Sequence, residues 1–277
     1  MNRYIKLVNF EMNRIAKLYV VLLAVTFVSQ VVGVIYFSKH FLKQVNEAMT
    51  GNPQNRQEVI ESMSPLSFDQ VTETLLFVGP ILISITAVAF YIFIIWYRDW
   101  LGKNTFVYRL LMLPTARINV FFAKLTTILL MTFGLVAFQL MLLPFEMKIM
   151  QWIVPKDLRI DASINAVLDR FVELRIIFPE SFIEFILHYG LGTIIVAIVF
   201  TFILFERSFR WKGIIFGFVY GFIAFMLLFS PVLLNELVLN SYLYPSEIVL
   251  LEVVAGIIVM ACTVWMSHYL LTKKIRV

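Results

Sequence analysis

Apolar residues recur along the chain in six long runs, separated by polar segments that differ sharply in charge. The runs cover roughly residues 18–37, 75–97, 123–145, 182–205, 213–234 and 248–271. Each is long enough to cross a bilayer, which takes about 20 helical residues at 1.5 Å rise per residue. None shows the ten-residue alternation of a barrel strand, so the pattern predicts helices whose backbone groups are satisfied internally. The first run is too long for an ordinary signal-peptide core, and no small-residue cleavage site closes it, so it reads as a span. The expected fold class is an all-α integral membrane protein of about six transmembrane helices, a single polytopic domain over residues 1–277.

The segments between the runs carry shorter helical patterns. In residues 1–17, Arg3, Lys6, Arg14 and Lys17 interleave with Tyr4, Ile5, Leu7, Phe10 and Ile15, which predicts an amphipathic helix at the membrane surface. The loop at 38–74 has apolar Phe41, Val45 and Ala48, a Gly51-Asn52-Pro53 break, then Val59, Ile60 and Met63, which reads as two short helices about a turn. Ser67 with Gln70 three positions on resembles a capping box leading into the second span. In the loop at 146–181, Ile164, Val167, Leu168, Phe171 and Val172 form one stripe, with Asp161 or Ser163 placed to cap its start. The plainer reading of that stripe is a helix lying on the outer leaflet; the sharper one is a surface for an external ligand.

Composition agrees with the span count. The 277 residues are 61% hydrophobic and 15% charged, with a mean hydropathy of +0.87, whereas a soluble domain carries about 25% charged residues. There is too little polar surface to cover a water-soluble globule. The lone Cys262 excludes a disulfide within the chain. The pI near 9.3 does not point to nucleic acid, because the basic residues lie where lipid headgroups would be.

Charge then orients the spans. Six spans sort the connecting segments into two sets. The N-terminus to Lys17, Arg98 to Lys124, Glu206 to Lys212 and the tail hold 15 Lys and Arg against only Glu11, Asp99 and Glu206. The other set holds 8 basic and 15 acidic residues. Basic residues near span ends stay on the cytoplasmic side, so the expectation is a multi-pass plasma (cytoplasmic) membrane protein with both termini in the cytoplasm and the loops at 38–74 and 146–181 outside.

One cytoplasmic connection carries a further signal. In residues 98–122, Phe106, Val107, Leu110, Leu111 and Leu113 give an apolar face at helical spacing, with Arg98, Lys103, Arg109 and Arg117 spread along the segment. Pro114 ends that helix for want of an N–H, and Thr115 suits an N-cap for the helix of the third span. The run Leu110-Leu111-Met112-Leu113-Pro114-Thr115-Ala116-Arg117, followed by Lys124, resembles the LLxLPxxR…K segment between spans two and three of ABC-2 type transporter permeases. The leading amphipathic helix, the short turn between spans four and five, and Ser230-Pro231 with the stretch from Asn235 to Glu247, suited to an external re-entrant part, fit the same pattern.

The resemblance implies a permease subunit that works as a dimer with a second permease, identical or different, above cytoplasmic ABC ATPase subunits. Phe106, Arg109, Leu110, Leu113 and Arg117 would couple it to the ATPase. ATP and Mg would belong to that partner, with no cofactor and no enzyme activity in this chain. The cargo would be amphipathic or lipid-like, such as a peptide, antimicrobial or lipid. The reading set against this one is a non-transporting membrane sensor, immunity or assembly protein whose external loops bind a ligand.

Other motifs add little. Gly102-Lys103-Asn104-Thr105 lacks the leading glycine and adjacent hydroxyl of a P-loop, so ATP hydrolysis is expected in another chain. His40, His188 and His268 are too far apart in sequence to suggest a metal site. Glu146, Glu184, Glu236 and Glu252 fall near the outer ends of spans, where the expectation is hydrated carboxylates. Glu252, a full turn inside the last span, is the candidate substrate or vestibule residue. Trp96, Trp100, Trp152 and Trp211 fall where an interfacial aromatic belt would put them.

Overall fold

The computed structural model describes residues 3–51, 65–101, 106–170, 177–238, 240 and 242–275. Among these, six helices are long and apolar enough to cross a membrane: Arg3–Ala48, Leu75–Trp100, Ile118–Ile153, Phe182–Phe209, Trp211–Leu228 and Pro245–Lys274. At most 28% of each span's most apolar stretch is buried within the chain, so most of that apolar surface is left for lipid. The protein is an all-α, multi-pass membrane protein.

In chain order the elements are α1 (Arg3–Gly51), β1 (Leu66–Ser67), α2 (Phe68–Thr72), α3 (Leu75–Trp100), α4 (Phe106–Leu111), α5 (Ile118–Ile153), β2 (Arg159–Ile160), α6 (Ile164–Arg170), α7 (Phe182–Phe209), α8 (Trp211–Leu228), α9 (Ser230–Leu237) and α10 (Pro245–Tyr269). They divide into two compact units. One comprises Met1–Arg14, Val88–Leu130 and Ser181–Val277; the other comprises Ile15–Ala87 and Met131–Glu180.

The second unit is built on an apolar cluster that includes Val34, Val45, Leu66, Phe68, Phe77, Leu143 and Met150. The expected boundary between an N-terminal surface helix, a span and a loop helix does not exist. α1 is continuous through all three, because no Gly or Pro interrupts it between Arg3 and Ala48 except Gly33, whose missing Cβ lets Leu76 pack against it. The Phe41–Ala48 stripe is thus the end of α1, and Val59, Ile60 and Met63 lie outside the described residues. Gln30 is fully buried and donates to the Phe77 carbonyl and to Gln139 Oε1, both at 3.1 Å, a polar contact between spans that no periodicity announces.

The Ser67–Gln70 capping box is not made. Ser67 does precede α2, but its hydroxyl donates to Asp69 Oδ2 at 3.0 Å instead of accepting from the helix. Ser67 and Leu66 pair in parallel with Ile160 and Arg159, a two-residue ladder joining the two loops of this unit. Ser163, not Asp161, caps α6, accepting from Ala166 N at 3.2 Å. Asp161 is held by Arg159 at 2.8 Å, and that guanidinium keeps the Asp161 carboxyl below its usual range. Arg159 also donates to the Gln151 and Val154 carbonyls at the end of α5, where a cation suits the helix dipole. Phe171 and Val172 lie outside the described residues.

In the first unit, α7 and α8 form a hairpin joined by Arg210 alone, whose φ of 53° lies in the left-handed region. The turn closes on itself through Gly213 N to Arg210 O, and a Cβ on Gly213 would sit 2.0 Å from the Phe205 carbonyl oxygen. The fifth span, expected to reach residue 234, stops at Leu228. Pro231 cannot donate to the Leu227 carbonyl; the Ser230 hydroxyl takes that carbonyl at 2.8 Å instead, and α9 starts afresh. The Asn235 side chain, buried in α9, accepts from Leu243 N at 3.0 Å just before α10 begins. Toward the other end of the same helices, α7 meets α10 through Thr201 and Ser267, whose hydroxyls are 2.8 Å apart.

Candidate functional site

The segment 98–124 lies within the first unit, and its short helix is smaller than the sequence suggested. α4 ends at Leu111, and Met112 to Arg117 form turns before α5 starts at Ile118. Thr115 does not cap α5; an Ala116–Arg117 turn intervenes, with Asn119 N bonded to Ala116 O at 2.9 Å.

α4 docks on the start of α1. Phe106 stacks on Phe10 with ring centroids 5.7 Å apart, the Arg14 guanidinium lies 5.2 and 5.3 Å from those two rings, and Arg3 donates to the Pro114 carbonyl. This contact turns Val107, Leu110 and Leu111 inward, each at most 5% exposed. Tyr108, Arg109, Met112 and Leu113 remain exposed. Beside them lies a cavity of about 380 Å³ lined by Leu7, Phe10, Phe106, Leu110 and Leu113 together with Arg3 and Lys6. Of the five residues named from sequence, Phe106, Leu110 and Leu113 therefore share one groove, and Arg109 faces outward. Arg117 points elsewhere, donating to the Leu271 and Ile275 carbonyls at 2.8 and 3.0 Å, where it caps the end of the last span.

Behind α4 is a buried ionic cluster. The Lys124 ammonium, fully buried, donates to Glu11 Oε1 at 2.7 Å, to the Ile95 carbonyl at 2.8 Å and to Asp99 Oδ2. Arg14 takes the other oxygen of Asp99 at 2.7 Å, and Arg98 takes Glu11 Oε2 at 2.9 Å. Glu11 and Asp99 are 2% and 0% exposed. All three ammonium donors of Lys124 are thus used, and each carboxylate oxygen has a cationic partner. The cluster joins α1, the end of α3 and the start of α5. Trp96 packs beneath it, with Lys124 Nζ 5.2 Å from its ring.

Sequence reasoning found the lysine and missed its partners. The signal was present: Glu11, Asp99 and Glu206 are the only acidic residues in a set holding 15 basic ones. The third, Glu206, accepts from the Tyr97 hydroxyl. Trp96 also departs from expectation. It is 1% exposed and meets Phe200 edge-on, so it belongs to the packed interior, whereas Trp152 and Trp211 are 75% and 84% exposed, as belt residues should be.

The four outer-end carboxylates separate. Glu236 is exposed, Glu184 and Glu252 are half-buried, and Glu146 is fully buried with neither oxygen hydrogen-bonded among the described residues. The hydrated setting expected for Glu146 is therefore wrong, because its side chain points into the cluster between Leu143 and Met150 on the same helix face. Glu252 lines a cavity between α7, α10 and the α8–α9 joint.

Comparison of the chain with protein-family models, curated proteins and solved structures finds no match.

Proposed function

We propose that the chain is the membrane subunit of an ATP-driven transporter of the ABC-2 type, with its basic face in the cytoplasm and hydrolysis in a separate ATPase. The observation that carries the reading is the mounting of α4. A short helix with exposed Tyr108 and Arg109, followed by exposed Met112 and Leu113 in the turn after it, stands beside an apolar groove with two basic residues, and the helix is fastened to α1, which shares the Lys124 cluster with α3 and α5. A groove of this kind accepts an apolar side chain from a partner helix or loop. Force applied there passes to three elements through charged hydrogen bonds rather than through a flexible loop, which suits a device that converts closure of one protein into movement of another.

Leu113 is the residue that tests this reading. Leu110→Asp would damage the chain itself, since Leu110 is buried against α1. Leu113→Asp instead places a charge at the groove while leaving the fold alone. The chain purified in mild detergent is expected to bring an ABC ATPase with it. Leu113→Asp, losing contact worth about 1.5 kcal/mol or more and adding an unpaired charge, is expected to weaken that association at least tenfold while insertion is unchanged. Retained association in Leu113→Asp, or no ATPase in any preparation, defeats the assignment and favours the sensor or assembly reading.

Orientation is checked separately. In a Cys262→Ser background, a cysteine at Asn165 is expected to react with an impermeant thiol reagent on intact cells, and one at Asn104 is not. The reverse pattern would invert the topology.

A further inference from the structure

We infer that the cavity between α7, α10 and the α8–α9 joint binds a single-tailed amphiphile with a cationic head group, with Glu252 as its counter-charge. The cavity holds about 430 Å³, within the range of about 300–1,000 Å³ typical of small-molecule sites. Its walls are apolar apart from Thr193 and two ionisable side chains, His188 and Glu252, and among the described residues no Lys or Arg lines it.

Those two ionisable side chains stand at one level. α7 and α10 both start on the side opposite the basic segments and run parallel. Thr201 meets Ser267, an offset of 66 residues, and the Gly256 backbone faces Ile194, an offset of 62. Carried back along α7, these offsets put His188 level with residues 250–254, so Glu252 lies opposite it. Each is about 10 Å along its helix at 1.5 Å per residue. Glu252 makes no hydrogen bond or ion pair among the described residues.

A carboxylate carried that far into an apolar helix calls for a cation, a proton or water. The cavity supplies a place for the first. A cationic head seats against Glu252 with the His188 ring beside it, and the tail lies along Leu191, Ile194, Leu228 and Ile257 toward Met260, whose flexible thioether adapts to it. Gly256 makes the floor: a Cβ there would come within 3.1 Å of Ile194 Cδ1. An anionic head would meet Glu252 as a like charge, and a neutral one would leave it without a counter-charge.

As a substrate site this rests on the transporter reading; as a binding site it does not, so binding is measured on the full-length chain alone, without ATP. The experiment is native mass spectrometry from dodecyl maltoside micelles titrated with dodecyltrimethylammonium or with dodecyl sulfate. The expected result is one retained cation per chain and no sulfate, with Glu252→Gln weakening the cation about tenfold or more and Glu252→Asp retaining it. Equal binding by wild type and Glu252→Gln, or retention of the sulfate as readily as the cation, overturns the site. If an ATPase copurifies but no cation binds, the site fails and the transporter reading stands. If the cation binds and no ATPase is ever found, the site stands and the transporter reading fails.

Discussion

Replacing Lys124 with methionine is expected to destabilise the protein by about 3–5 kcal/mol, the usual cost of removing one partner from a buried ionic set. The geometry says why the loss is large. Glu11 and Asp99 converge on one ammonium, so without it two carboxylates face each other in a site almost closed to water, each left with one arginine. Met fills a similar volume, so the change removes charge more than packing. Lys124→Arg does not restore the wild type, because a planar guanidinium cannot donate along the three directions that the ammonium uses. Adding Asp99→Leu to Lys124→Met is expected to recover part of the loss, since Glu11 alone is then answered by Arg98, with Arg14 3.7 Å away. Unfolding in mixed micelles reads these differences. A Lys124→Met protein as stable as wild type would show that the cluster contributes nothing.

Glu146 presents the opposite case. Its carboxyl is fully buried with no partner among the described residues, so nothing there offsets the cost of taking it from water. Glu146→Leu is expected to stabilise the chain by about 1–3 kcal/mol, because it removes an unsatisfied polar group from an apolar cluster. Glu146→Gln keeps the shape without the ionisable group and should be close to neutral. Glu146→Lys is expected to prevent folding, placing an ammonium among Leu143, Met147 and Met150. The same unfolding measurement, with expression level as a second readout, separates the three variants. A stable Glu146→Lys chain would mean that the site is open to water or meets an acid, and a destabilised Glu146→Leu would mean that the carboxyl has a partner in the working protein.

The contrast between these two sites marks what the chain discloses before it folds. Spans are legible because lipid imposes a length and an apolar character on every one of them, but their ends are less so: the fourth runs on to Phe209 and the fifth stops at Leu228, short of Pro231. Continuity is also less legible. Nothing between Lys17 and Leu18, or between Phe37 and Ser38, says whether a helix ends, and in α1 it does not. Side-chain partners are least legible, because Glu11 and Lys124 are 113 residues apart and meet only through tertiary packing. The burial of Leu110 against α1 is hidden for the same reason: an apolar stripe has the same period whether it faces its own chain or another.

The ionic cluster also bears on how the chain is made. Glu11, Arg14, Arg98, Asp99 and Lys124 all belong to the first 124 residues, so the set is complete once the start of α5 has been synthesised. Asp99 follows Arg98 directly and waits only 25 residues for its lysine. During biosynthesis, then, Glu11 and Asp99 gain their counter-ions before α7, α8 and α10 have been translated. The later helices are added to a cluster whose two carboxylates are already matched.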